Sequence, residues 1–162
     1  MSGKKLNPDH IAAVLAFINP SPYFHLLSMT VREMGIGYSL VEVDIKEKHL
    51  SPFGLVHGGL YCSALDTAAF WSAYGEVEEE AGLITLDVNV NILGPVKGDR
   101  LRVEGRRLKI GKTLCTAEAE ARSEAGDILA HATSKLLIAR EPEMIQKIRK
   151  TFGDGDFPPK YL

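Results

Sequence analysis

One carboxylate stands in the middle of a run that is otherwise apolar or small. From Leu60 to Tyr74 the chain reads Leu-Tyr-Cys-Ser-Ala-Leu-Asp-Thr-Ala-Ala-Phe-Trp-Ser-Ala-Tyr, with Asp66 as its only acid. A helix that is apolar all round is a buried helix, and a carboxylate on a buried helix is costly unless it is paired or used. Just before the run, His57-Gly58-Gly59 puts two glycines at the helix start. Their backbone N–H groups are uncovered there, where the helix dipole favours developing negative charge. An amide that can hold an oxyanion and a lone acid are the parts of an acyl-transfer site. The acid could activate a water as general base or attack as a nucleophile, and the sequence does not choose between them. Spacing adds a condition. Asp66 lies eight residues after Gly58, which is about 12 Å along a helix axis, whereas attack needs reacting atoms about 3–3.5 Å apart. One helix cannot bring both groups to one carbonyl. A second copy running antiparallel can, so the spacing predicts an obligate two-fold homodimer with two sites at its interface.

The elements that must position this helix follow from periodicity and breakers. The helix itself is expected over 57–75, ended by Gly75. A short amphipathic helix is expected over 7–18, capped by Asn7 or Asp9 with Pro8 in its first turn and Ile11, Val14, Leu15 and Ile18 as its stripe. Strands are expected over 24–34 and 38–46, then a connecting loop over 47–56. Residues 83–93 alternate cleanly, with Ile84, Leu86, Val88, Val90 and Ile92 on one face and Thr85, Asp87, Asn89 and Asn91 on the other. Three more strands are expected over 100–109, 113–123 and 128–139, joined by Gly111-Lys112 and Gly126-Asp127 turns. In the middle one, Cys115, Ala117, Ala119 and Ala121 face inward and leave room for something bulky, the buried helix being the candidate. A final helix is expected over 142–151 from Pro142, and the Gly- and Pro-rich tail 153–162 reads as loose. The order αββαββββα, without repeat or linker, gives an α+β class and a single domain over 1–162. One long antiparallel sheet wrapped around a central hydrophobic helix is the simplest packing.

Composition narrows the function classes. The chain has 162 residues and a formal net charge of −2, without the basic stripe of a nucleic-acid binder. The central run is too short to span a membrane. The first ten residues lack the apolar core of a signal peptide, which reads as a cytoplasmic protein. The two cysteines, Cys62 and Cys115, have no metal-type spacing and read as reduced core thiols. No metal and no cofactor are expected.

The motifs resemble a known family. Gly54-Leu55-Val56-His57-Gly58-Gly59, with Asp66 nine residues after the histidine, is similar to the signature of hotdog-fold acyl-CoA thioesterases, closest to the phenylacetate-degradation type. Leu86-Asp87-Val88-Asn89-Val90, Gly94-Pro95-Val96-Lys97-Gly98 and Gly111-Lys112-Thr113-Leu114 match family habits at the expected spacings. The resemblance implies a hotdog fold and hydrolysis of an acyl-CoA, CoA being part of the substrate. It also implies homodimers, often paired into dimers of dimers. It implies Asp66 as the catalytic carboxylate, Gly58 as the amide that polarises the thioester carbonyl, and Thr85 as a hydroxyl holding water or substrate. Where the family often has Asn three residues before the loop glycine, this chain has Ser51, whose reach to a water is shorter.

Other candidates keep a plainer reading beside the functional one. His57 orders the helix start or serves as a base. Gly59 and Ser63 line the substrate or simply pack. Arg106, Arg107, Lys109 and Lys112 cluster around one hairpin and hold the CoA phosphates or form a solvated basic turn. Phe53, Tyr61, Phe70 and Trp71 favour an aryl acyl group or belong to the core. The functional alternatives are a non-catalytic acyl-CoA-binding or sensing protein on the same fold, which has no need of a buried acid, and a dehydratase, which would need an acid to orient His57.

Overall fold

The computed structural model describes residues 5–140 and 157–162. Their elements are α1 (Pro8–Ile18), α2 (Pro22–Leu27), β1 (Met29–Gly35), β2 (Tyr38–Asp44), a 3₁₀ turn (Glu47–His49), α3 (Gly58–Tyr74), β3 (Gly82–Ile92), β4 (Arg100–Ile110), β5 (Leu114–Arg122) and β6 (Ile128–Ala139). The helix expected over 142–151 lies outside the described residues. All six strands join one antiparallel sheet in the order β1-β2-β4-β5-β6-β3, which leaves β1 and β3 as edges.

Helix α3 lies across the inner face of this sheet, in the hotdog arrangement. Leu60, Ala64, Leu65, Ala68, Ala69 and Trp71 of α3 are buried against Val41 and Val43 of β2, Val103 of β4 and the small residues Ala117, Ala119 and Ala121 of β5. The alanines keep the strand surface low, so the helix can sit close. At the tightest point Ser39 Oγ donates to the Ala68 carbonyl at 2.6 Å, and Gly105 faces the same oxygen. Two first-turn devices hold α1. Pro8 occupies its first turn, and the Asn7 side chain accepts from the Asp9 N–H at 3.1 Å.

Three expectations are corrected. Residues 24–27 are helical, not extended: Pro22 starts α2, Phe24 and Leu27 pack on the main core, and Ser28 in a left-handed conformation (φ 50°) turns the chain into β1. The alternation in 83–93 is broken by a bulge at Leu86, between the pairs Thr85↔Leu136 and Asp87↔Lys135. The extra residue flips the pattern, so Thr85 faces α3 and Leu86 is 54% exposed. Cys62 is exposed rather than in the core, whereas Cys115 is buried as expected. Just after α3, Glu76 is half-buried in an ion pair with Arg107, Nη2 to Oε1 at 2.7 Å.

The tail is docked, not loose, over 157–162. Leu6 and Tyr161 form an antiparallel bridge, the Asn7 N–H donates to the Lys160 carbonyl at 2.9 Å, and His10 Nδ1 bonds the Pro158 carbonyl at 2.7 Å. Lys160 is only 2% exposed. Its ammonium donates to the Tyr74 and Val77 carbonyls, each at 2.6 Å, and lies 3.9 Å from the centre of the Tyr74 ring. A cation thus closes the C-terminal end of α3, where the dipole is negative. Lys160→Met keeps the stem and removes the charge. It should destabilise the protein by about 2 kcal/mol, seen as a Tm lower by about 4–8 °C in a thermal melt.

Candidate active site

The segment leading into α3 is a small ladder. The His57 N–H donates to the His49 carbonyl at 2.8 Å, Leu50 and Val56 form a bridge, and the Ser51 N–H donates to the Leu55 carbonyl at 2.7 Å. Gly54, at φ 75°, closes the turn with its N–H on the Ser51 carbonyl at 2.9 Å. This geometry throws Phe53 outward, 90% exposed. It also turns the Ser51 hydroxyl into its own loop, where it accepts from the Phe53 N–H at 3.4 Å.

His57 is the N-cap of α3. Its Nδ1 accepts the Gly59 N–H at 2.9 Å, and its carbonyl accepts the Leu60 N–H at 3.0 Å. Of these first-turn amides, Gly58 alone has no partner among the described residues. The Ile92 side chain roofs it: a Cβ on Gly58 would lie 3.0 Å from Ile92 Cδ1.

Along α3 one stripe stays open, through Gly59, Cys62, Ser63 and Asp66, at helical spacings of three and four. Ser63 Oγ donates to the Gly59 carbonyl at 3.0 Å, so the Tyr23 hydroxyl, 2.7 Å away, is the donor to it. Asp66 is half-buried. Thr85 Oγ1, delivered by the β3 bulge, donates to Asp66 Oδ1 at 3.0 Å. Burial pushes the Asp66 carboxyl above its ordinary value, and the Thr85 bond works against that rise. A carboxylate with one hydrogen bond and little solvent is a strong base for its type.

The cations around the β4–β5 hairpin do not share a face. A bulge at Leu108 separates Arg107 from Lys109. Arg106 lies on the outer face, bonded through Nε to Glu118 at 2.9 Å, and holds that carboxyl below the usual range. Arg107 is taken by Glu76. Lys109 and Lys112 have no ion pair among the described residues. Of the aromatic candidates, Tyr61 and Trp71 are core, and Tyr61 pins the 94–96 loop by accepting the Val96 N–H at 2.7 Å.

Residues 53–130 match the thioesterase superfamily. The matched stretch, just under half of the chain, spans α3 and β3 to β5 and holds Gly58, Asp66 and Thr85. A thioesterase family protein from Silicibacter pomeroyi superposes with a TM-score of 0.73 at 25% identity, covering 80% of this chain and 98% of that one. A thioesterase from Haemophilus influenzae has the same fold, with a TM-score of 0.70 at 18% identity over 79% of this chain and 89% of its own. Acyl-coenzyme A thioesterase 13 of Mus musculus is 28% identical over 82 residues, 50% of this chain and 58% of the mouse protein. Among the described residues no helix is long and apolar enough to cross a membrane.

Two contacts at the site were not foreseen from the sequence: Tyr23 on Ser63, across 40 residues, and His49 under the loop. The first depends on the packing of distant segments and leaves no spacing signal; the second is a local contact, from the Lys46 N–H to His49 Nδ1 three residues on, within a stretch that reads only as a connecting loop.

Proposed function

We propose that the chain hydrolyses the thioester of a small aryl- or medium-chain acyl-CoA, as a homodimer in which Gly58 of one protomer and Asp66 of the other serve one carbonyl. The observation that carries this reading is the half-buried, Thr85-bonded Asp66 on a helix whose first amide, at Gly58, is left free. The likeness to the mouse acyl-CoA thioesterase supports the substrate class.

The thioester carbonyl oxygen sits at the Gly58 N–H, where the helix dipole favours the charge that builds on it, and one such donor contributes roughly 2.7–4 kcal/mol in known enzymes. In the base route Asp66 takes a proton from water as the oxygen adds to the carbonyl carbon. The tetrahedral oxyanion collapses, the C–S bond breaks, and the thiolate takes the proton back from Asp66. In the nucleophile route Asp66 itself adds, CoA thiolate leaves, and water opens the mixed anhydride. Thr85 fixes the rotamer of Asp66 in both. Lys109 and Lys112 are the cations free to meet the CoA phosphates.

The dimer is supported by what a single chain leaves open. Edge strand β3 and the residue after it carry the exposed Ile92 and Leu93, the last 65% exposed, and Ile92 lies against Gly58 at the start of α3. The outer face instead carries ion pairs, among them Arg106–Glu118, Arg122–Glu120 and Lys135–Asp87, which favours the dimer over a dimer of dimers.

The test is thiol release from a panel of aryl- and medium-chain acyl-CoAs, with mass measured in solution. Turnover of at least one member by a dimer is expected. A monomer that cleaves thioesters at full rate removes the two-chain site, and binding without turnover across the panel removes hydrolysis.

A further inference from the structure

Beneath the loop that precedes α3 lies a histidine with no place in the chemistry above. His49 is 5% exposed, at the end of the 3₁₀ turn. Its Nδ1 accepts the Lys46 N–H at 3.0 Å, while its own N–H donates to the Lys46 carbonyl at 2.9 Å. The turn is therefore locked in both directions. Its Nε2 is buried and has no partner among the described residues. Because Nδ1 accepts, the neutral ring carries its proton on Nε2, so the unpaired group is a buried donor. Burial, together with Lys48 and Lys46 nearby, lowers the pKa of the ring and keeps it neutral.

A buried ring with one unpaired N–H is a poor way to gain stability, since the orphaned donor loses its hydration without compensation. A leucine would fill the space without that cost. What the ring supplies and a leucine cannot is the acceptor at Nδ1. We infer that His49 is a positioning residue for the oxyanion-holding amide, acting through the ladder bond from the His57 N–H to the His49 carbonyl. The inference rests on the hydrolase reading given above.

The relay is short. The Lys46 N–H on Nδ1 fixes the turn, and the turn fixes the direction of the His49 carbonyl. That carbonyl holds the His57 N–H at 2.8 Å. His57 then accepts the Gly59 N–H through its own Nδ1 at 2.9 Å. The peptide between His57 and Gly58, whose N–H is the free one, is held by these two bonds on either side. The base of the loop is anchored as well, by the Ile45 N–H on the Asp99 carbonyl at 2.7 Å. If the first link goes, the peptide can rotate and the amide leaves the line of the carbonyl oxygen, which affects the transition state more than the bound substrate.

The two ring nitrogens can be tested apart, because an Asn side chain mimics Nδ1 of histidine and a Gln side chain mimics Nε2. The full-length protein is assayed as His49→Asn and His49→Gln, with kcat and KM on the acyl-CoA that turns over fastest. His49→Asn should keep kcat within about threefold of wild type, and His49→Gln should lose about 10- to 100-fold in kcat with KM little changed. Rescue by Gln and not Asn would make Nε2 the working atom and overturn the inference, as would equal rates for both variants or a loss confined to KM. Amide hydrogen exchange gives a second readout that needs no turnover. The Lys46 and His57 amides should be protected in wild type and in His49→Asn and should exchange faster in His49→Gln, and equal protection in all three overturns the relay. If wild type cleaves no thioester, the hydrolase reading fails by itself, and the exchange data still decide whether His49 orders the loop.

Discussion

Asp66→Asn should release thiol on the order of 10²–10⁴ times more slowly than wild type, with KM for the acyl-CoA changed little. The substitution is close to isosteric. The Asn side-chain oxygen can still accept from Thr85 Oγ1, so the 3.0 Å contact and the packing of α3 survive. What is lost is the lone pair that takes a proton or attacks carbon. Stopped-flow or dye-coupled thiol release reads the loss directly, and equal rates for the two proteins would take Asp66 out of the chemistry. Single-turnover hydrolysis in heavy-oxygen water separates the two routes, because label enters Asp66 only if the mixed anhydride forms.

The same residue sets a pH dependence in both rate and stability. In the proposed mechanism Asp66 must be ionised to act, and burial raises its pKa above the ordinary 3.8, so the acid limb of kcat/KM should lie above that value. Thr85→Val removes the bond that opposes the rise and should move the limb higher still. For stability the sign is the reverse of the usual Asp case. The folded state holds the Asp66 proton more tightly than the unfolded state does. Stability is therefore lost as pH rises from the ordinary value through the folded one, and the penalty is complete at neutral pH. Asp66→Asn escapes it. The variant should melt above wild type at neutral pH, and the gap should close below about pH 4.

How much of this could be read in the residues varied with how local each feature is. The central helix, its start at His57-Gly58-Gly59, and the last four strands are written in short-range patterns, and the observed α3 and β3–β6 fall within a residue or two of those expected. The small inward face of β5 announced the helix that lies on it. The bulge at Leu86 was invisible, because an apolar alternation reads the same with or without one extra residue, yet it is what turns Thr85 toward Asp66. Extended character at 24–27 was misread because Pro22 and the left-handed Ser28, which set the short helix, compete with a pattern that also suits a strand. Cys62 looked like core because one side of an apolar helix cannot be told from another until the sheet has chosen its side. The docking of 157–162 depends on Lys160 meeting carbonyls of Tyr74 and Val77 more than 80 residues away, which no local pattern records.

Gly105→Ala should be the most destabilising small substitution on the sheet. A Cβ at this point of β4 would stand 2.1 Å from the Ala68 carbonyl oxygen, 2.5 Å from its carbon and 2.6 Å from Ser39 Oγ. Two of those three atoms are backbone of α3, so no side chain can swing aside, and Ser39 is itself held on the same oxygen at 2.6 Å. Relief requires α3 to lift off the sheet at Ala68, two residues after Asp66, with the buried faces of Leu65 and Ala69 going with it. Ordinary overpacking costs about 1–3 kcal/mol. A clash with helix backbone should exceed roughly 4 kcal/mol, and at about 2–4 °C per kcal/mol the melting temperature should fall by at least about 8 °C. Gly94→Ala is the control. Its Cβ would meet only Leu129 Cδ2, at an ordinary 3.6 Å, and its melt should stay near that of wild type. Any Gly105→Ala protein that still folds should also lose kcat, because lifting α3 carries Asp66 away from Thr85 and, in the proposed dimer, from the partner's amide. A Gly105→Ala variant that melts with wild type and turns over at full rate would mean that the helix does not touch β4 there, and that the seat of the proposed catalytic carboxylate is set elsewhere.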